Sequence, residues 1–169
     1  MPSTRRSSRS ALVLAALLPL AMGACSDDDP LAPLSPEDVE YAPELGVVIE
    51  EMTLLPSGVY IETLQEGSLD AIPVSTGRVE VDYTLWLPDG TQVDSSRDPG
   101  RVPLFFNFGQ SDVIPGFEIG VSGMRVGELR RIIVPSELAY GERGSGLIPP
   151  NSVLVFEVEL LSASDSPTS

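Results

Sequence analysis

The chain has 169 residues, with 25 acidic and 10 basic side chains and a net charge of −15. Such a surface repels phosphate, which excludes nucleic-acid binding and attraction to anionic lipid head groups. Histidine is absent and Cys25 is the single cysteine, so a zinc site or a cysteine nucleophile backed by histidine is excluded as well, and no metal or cofactor is expected.

The chain opens on a basic stretch with Arg5, Arg6 and Arg9, followed by an apolar segment over residues 11–24 that ends in small residues. That segment is shorter than the roughly 20 residues of a membrane-spanning helix. A basic start, a short apolar stretch and a small-residue end describe a secretory signal peptide over residues 1–24. The "MGAC" ending at Cys25 resembles the lipobox of bacterial lipoproteins, in which the cysteine carries lipid and becomes the new N-terminus. Residues 25–45 are acidic, rich in proline and without helical or strand period, and they read as a tether. The resemblance implies an exported protein, lipid-anchored on the periplasmic side of the cell envelope. By analogy with lipoprotein sorting in some bacteria, Ser26 rather than Asp after Cys25 favours the outer membrane.

From residue 46 a single domain is expected to run to about residue 162, followed by a polar tail over 163–169. "GVYIETLQEG" (58–67) puts Val59, Ile61 and Thr63 on one face, with Tyr60 and Glu62 on the other. "RVEVDYTLWLPDG" (78–90) alternates more cleanly, with Val79, Val81, Tyr83, Leu85 and Leu87 together and a turn at Pro88-Asp89-Gly90. "ELRRIIVP" (128–135) and "NSVLVFEVELL" (151–161) are two further strands. In the last, Phe156, Val158 and Leu160 point inward while Glu157 and Glu159 face solvent. Between them, "PGFEIGVSGM" (115–124) fits a short helix with Phe117 and Val121 at i and i+4. Its glycines make it poor by propensity, so it should persist only by packing onto the sheet. One helix on a mostly antiparallel sheet is an α+β domain. No helix that would drive dimerisation precedes it, and a monomer is expected.

Four blocks carry something more specific: "VDYTLWLPDGTQVDSSRD", "VIPGFEIGVSGMRVGELRRIIVP", "AYGERGSGLIPP" and "LVFEVELL". In order and spacing they resemble the FKBP-type peptidyl-prolyl cis-trans isomerases over nearly all of residues 53–162. The resemblance implies a five- or six-stranded antiparallel sheet curled around one short helix, and a pocket that binds proline-containing polypeptide segments. Phe117 would be the floor, with Tyr83, Phe106 and Phe156 as aromatic walls. Val113 and Ile114 would line the rim, the Ile114 N–H donating to a substrate carbonyl. Tyr140 would offer its hydroxyl to the carbonyl before the proline, and Leu147 and Ile148 would cover the pocket. Asp94 would stand at the edge. The reaction transfers no proton, so Asp94 would orient the edge through hydrogen bonds; the other reading is a turn cap that accepts from the N–H groups of Ser95 and Ser96.

The sequence departs from that family's pattern at Val93, where an aromatic wall is usual, and at Leu104. The loop "RDPGRVPLF" is one residue longer than is common, and no role is assigned to Arg101. Val93 supports an alternative function, a domain of that kind with weak catalysis that acts as a proline-segment binding module or chaperone.

Overall fold

A computed structural model describes residues 34–71 and 73–164. The signal peptide, Cys25 and the first part of the tether lie outside the described residues, as does the chain beyond 164. Among the described residues there are seven strands and one α-helix: β1 (Thr53–Leu54), β2 (Tyr60–Gln65), β3 (Arg78–Trp86), β4 (Gln92–Ser95), β5 (Leu104–Asn107), α1 (Pro115–Val121), β6 (Leu129–Val134) and β7 (Leu154–Ser164). All pairings are antiparallel, in the order β1-β2-β6-β7-β3-β4, with β5 also on β3. The architecture is the expected α+β one. The expected strand count of five or six is exceeded because β1 is a two-residue pair and β4 is short and polar, neither showing a hydrophobic alternation.

The outer edge of β3 is shared. Its C-terminal half pairs with β4, Thr84 opposite Ser95, and its N-terminal half with β5, Val81 opposite Leu104. Between them Ser96 fills the gap. Its N–H donates to the Tyr83 carbonyl at 3.0 Å, its hydroxyl accepts from the Tyr83 N–H at 2.9 Å and donates to Asp82 at 2.7 Å. The backbone groups that β3 exposes where its two partners diverge are thereby satisfied.

Strand β6 is buried on both faces, which is why "LRRIIV" lacks alternation. Arg130, Ile132 and Val134 face α1, while Arg131 and Ile133 face the other way. The glycines of α1 are what let it approach. A Cβ on Gly116 would stand 2.2 Å from Val134 Cγ1, and one on Gly120 2.4 Å from Ile132 Cγ2. Poor helix propensity is thus exchanged for close packing against the sheet. Arg130 anchors the end of the helix, donating to the carbonyls of Gly120 (2.8 Å) and Ser122 (3.0 Å) while paired with the buried carboxylate of Glu128. A cation at a helix C-terminus also suits the macrodipole.

The second face is covered by a strap. Residues 36–45, expected as part of a structureless tether, pack on the sheet instead. Short 3₁₀ turns at Pro36–Asp38, Pro43–Leu45 and Ile49–Glu51 lay Tyr41, Leu45, Val47, Ile49 and Met52 against Tyr60, Trp86, Ile133, Val153 and Val155. Polar ties fix it: Tyr60 donates to Glu37, Tyr41 to the Pro36 carbonyl at 2.8 Å, and the Ala42 N–H to the Pro88 carbonyl at 2.8 Å. Arg131 donates to the Gly46 carbonyl at 3.0 Å and pairs with Glu62 at 2.6 Å and Glu157 at 3.4 Å. Glu157 and Glu159, expected simply in solvent, are therefore ion-paired, Glu159 with Arg97 at 3.0 Å. The expected polar tail begins later than residue 163, since Ser164 still pairs with Arg78.

Candidate active site

Phe117 lies near the start of α1, at the centre of an aromatic cluster. Its ring meets Phe156 at 5.1 Å, Phe106 at 5.8 Å and Tyr83 at 6.0 Å between centroids, all edge-on. Such contacts add to the burial of the rings and fix their planes. Phe117 is only 2 % exposed. Above it opens a cleft of about 210 Å³ lined by Tyr83, Asp94, Leu104, Val113, Ile114, Phe117, Tyr140 and Phe156, with Leu85 and Asp112 besides.

Eight of the twelve side chains predicted for the pocket line this cleft. Phe106 is not one of them; fully buried, it supports Phe117 from behind. Ile148 is buried in the main core rather than over the cleft. Leu147 stands at the tip of a tight turn held by reciprocal Ser145–Ile148 backbone bonds of 2.9 and 2.8 Å, and is 71 % exposed. It does not cover the cleft in this structure. Val93 departs from expectation too. Leu85 pairs with Asp94 but Trp86 pairs with Gln92, so Val93 is the extra residue of a β-bulge, half-buried against the core and outside the cleft lining. Leu85 and Asp112 are the lining residues that sequence reasoning missed; Leu85 was assigned only to the inward face of its strand.

The edge of the cleft is a polar triad. Asp94 accepts from the Tyr83 hydroxyl, from an Arg101 guanidinium nitrogen and from the Ser95 N–H at 3.0 Å. The Ser96 N–H goes to Tyr83 instead, so the simple turn-cap arrangement applies to Ser95 alone. Arg101, given no role from sequence, is brought there by a β-turn in which its N–H bonds the Asp98 carbonyl at 3.0 Å, with Gly100 at φ +85°. Pro99 and Gly100 occupy the two central positions, as a type II turn requires. Partial burial alone would raise the Asp94 carboxyl, but the bonds from Tyr83 and Arg101, the Arg101 charge and the Ser95 N–H together hold it below the ordinary carboxylate value. Burial, and then the bond to Asp94, push the Tyr83 phenol well above its ordinary value. Near neutrality the pair is therefore carboxylate and phenol, a fixed dipole rather than a proton shuttle.

Two donors belonging to residues that line the cleft have no partner among the described residues. Ile114 precedes Pro115 in extended geometry, and its carbonyl accepts from Phe117 at 3.1 Å. Its own N–H has no acceptor among the described residues. Tyr140 lines the cleft 38 % exposed, and its hydroxyl makes no hydrogen bond among the described residues. No group of three or more potential metal ligands occurs among the described residues.

Residues 70–161 match the family model described as FKBP-type peptidyl-prolyl cis-trans isomerase. An FK506-binding protein of Neisseria meningitidis serogroup B is 46% identical over 105 residues, spanning 62% of this chain and 94% of the relative. The peptidyl-prolyl cis-trans isomerase Fkbp12 of Drosophila melanogaster is 43% identical over 105 residues, spanning 62% of this chain and 96% of its own. Among solved structures, FkpA of Escherichia coli superposes with a TM-score of 0.61 at 35% identity, over 69% of this chain and 53% of the other.

Proposed function

This chain belongs to the FKBP-type peptidyl-prolyl cis-trans isomerase family, and from that premise we propose that it accelerates the cis–trans exchange of X–Pro bonds in exported polypeptides while held at the envelope membrane through a lipidated Cys25. The observation that carries the catalytic part is the Phe117 floor, ringed by three aromatic side chains beneath a narrow cleft with two open donors. An X–Pro bond rotates over a barrier of about 18–20 kcal/mol because amide resonance is lost, which takes tens of seconds or more in water. No covalent bond forms or breaks, so neither nucleophile nor metal is required.

The twisted amide is less dipolar than the planar one. A cleft floored by Phe117 and Phe156 that excludes water therefore favours the transition state over the ground state. The Ile114 N–H and the Tyr140 hydroxyl hold the flanking carbonyls, and the Tyr83–Asp94–Arg101 triad fixes the edge of the cleft. Lowering the barrier by about 6–8 kcal/mol corresponds to roughly 10⁴- to 10⁶-fold acceleration. The binding-module alternative rested on Val93, which lies outside the cleft lining and gives it no support.

A protease-coupled isomerisation assay on the full chain tests the catalytic reading. Wild type should exceed the uncatalysed rate, Phe117→Ala should abolish the excess, and Tyr140→Phe should lower it. A wild-type rate equal to the uncatalysed one overturns it. Fatty-acid labelling that vanishes in Cys25→Ala supports the anchor; labelling that persists excludes it.

A further inference from the structure

The cleft of about 210 Å³ is smaller than the ~300–1,000 Å³ of pockets that hold drug-sized ligands, leaving room for a prolyl ring and little else. A polypeptide substrate must therefore continue over the surface. Directly beyond the Tyr83–Leu104 wall lies a second, wider depression of about 470 Å³, bounded by Arg101, Val102, Pro103 and Phe105 and sharing Tyr83 and Leu104 with the cleft.

Half of the residues that line this depression are apolar, and two of them are exposed in a way the fold does not require. Val102 is 74 % and Phe105 46 % exposed. In β5, Phe106 opposite Val79 turns into the core, and Phe105 opposite Glu80 turns outward by the alternation of the strand. Arg78 stacks on the Phe105 ring at 4.7 Å, holding it as a fixed plate. The Asp98–Arg101 turn and the Arg101–Asp94 pair fix the opposite rim. Val102, Pro103, Leu104 and Phe105 thus bring apolar side chains together on one depression with a pinned polar border, and its pre-formed shape lowers the entropic cost of binding.

We propose that this depression is a second subsite, which receives a large apolar side chain of the same polypeptide, flanking the X–Pro unit bound in the cleft. The inference rests on the isomerase reading and adds to it a sequence preference outside the proline itself. Val102 and Phe105 set that preference, while the residues of the cleft set the isomerisation step.

The test is an isomerisation assay with peptides in which an Ala-Pro unit is flanked by glycines, and Phe replaces glycine at each of the two positions on either side in turn. Wild type should show a gain in kcat/KM of about five- to tenfold at one of these positions, the size expected for burying much of an aromatic ring. Val102→Asp and Phe105→Ser should erase the gain and leave the all-glycine-flanked peptide turned over at the wild-type rate; Val102→Leu should retain the gain. A flat wild-type profile, or a preference that survives in both variants, overturns the subsite but not the isomerase. If no peptide is accelerated at all, the isomerase reading falls and the subsite falls with it.

Discussion

The Tyr83 hydroxyl donates to the Asp94 carboxylate across the edge of the cleft, and Arg101 donates to the other oxygen of the same carboxylate. The three side chains come from β3, β4 and the loop after β4, so the contact ties a cleft wall to the divergence of two strands. Tyr83→Phe keeps the ring against Phe117 and removes only the donor. It should lower stability by about 1.5–3 kcal/mol, the range of a hydrogen bond to a charged group, and reduce kcat/KM. Urea denaturation with activity measured on the same samples checks this; unchanged values for both would show that the hydroxyl is idle.

The pH dependence of that contact has a definite sign. The Asp94 carboxyl titrates below its ordinary value when folded, so its contribution is complete above the unfolded value of about 4 and is lost as pH falls through the lower folded value. The urea midpoints of wild type and Asp94→Asn should therefore differ most near pH 6 and converge on acidification. Tyr83 is shifted the opposite way: its contribution is complete below about pH 10 and is lost as pH rises beyond it. In an alkaline absorbance titration, Tyr83→Phe should remove one late-ionising phenol. Midpoints that stay equally far apart down to pH 2 would contradict the carboxylate assignment.

The helix glycines give a prediction opposed to propensity. In an exposed helix, Gly→Ala stabilises by about 0.5–1 kcal/mol. Here the added methyl meets Val134 or Ile132 well inside contact distance, so Gly116→Ala and Gly120→Ala should each destabilise by about 1–3 kcal/mol through overpacking. Pairing Gly116→Ala with Val134→Ala should recover part of the loss. A single variant more stable than wild type would mean the helix can shift outward freely.

What could be seen in the sequence follows from which interactions are local. Strands β3 and β7 announce themselves because Val79, Val81 and Leu85, and Phe156, Val158 and Leu160, alternate with polar neighbours and are buried. The Phe117 floor was visible through four spaced blocks of resemblance. Strand β4 was hidden because Asp94, Ser95 and Ser96 read as a polar loop, although each is committed to a specific partner on β3. The strap was hidden for a related reason: proline-led 3₁₀ turns have no period, so Leu45, Val47, Ile49 and Met52 gave no signal until the sheet was there to receive them. Arg101 reaches Asp94 through the Asp98–Arg101 turn, a contact between a loop and a strand that no local pattern announces.

The strap moves the expected start of the folded unit. A chain beginning at residue 46 would lose Val39, Tyr41, Ala42 and Leu45 from the cluster around Tyr60, Ile133, Val153 and Val155, and with them the Glu37 and Ala42 ties. The Tyr60 phenol, pushed up to about 12 mainly by its bond to Glu37 and then by burial, would return toward its ordinary value of about 10. A chain beginning at residue 34 should unfold as wild type does. One beginning at 46 should be less stable by several kcal/mol, on the scale of uncovering two or three large apolar side chains. The single tryptophan, Trp86, packs against the strap, so its emission should shift to the red in the shorter chain. Equal stability of the two chains would reduce the strap to decoration.

Charge supplies the final prediction. The chain carries −15 overall, and Asp94 and Asp112 are the ionisable carboxylates that line the cleft. Asp94 is neutralised by Arg101. Asp112 is not ion-paired among the described residues; its Oδ2 accepts from the Asn107 backbone N–H at 3.0 Å and from the Asn107 side chain at 3.2 Å. A cationic residue beside the proline should therefore be drawn to the cleft, and an acidic one repelled. At low ionic strength, kcat/KM for a Lys-Pro peptide should exceed that for the Glu-Pro counterpart by about three- to tenfold, a ratio that shrinks as the Debye length falls to about 3 Å at 1 M salt. Asp112→Asn should lower the ratio while leaving an Ala-Pro peptide unaffected. A ratio indifferent to both salt and Asp112 would mean that residue preference arises from shape alone.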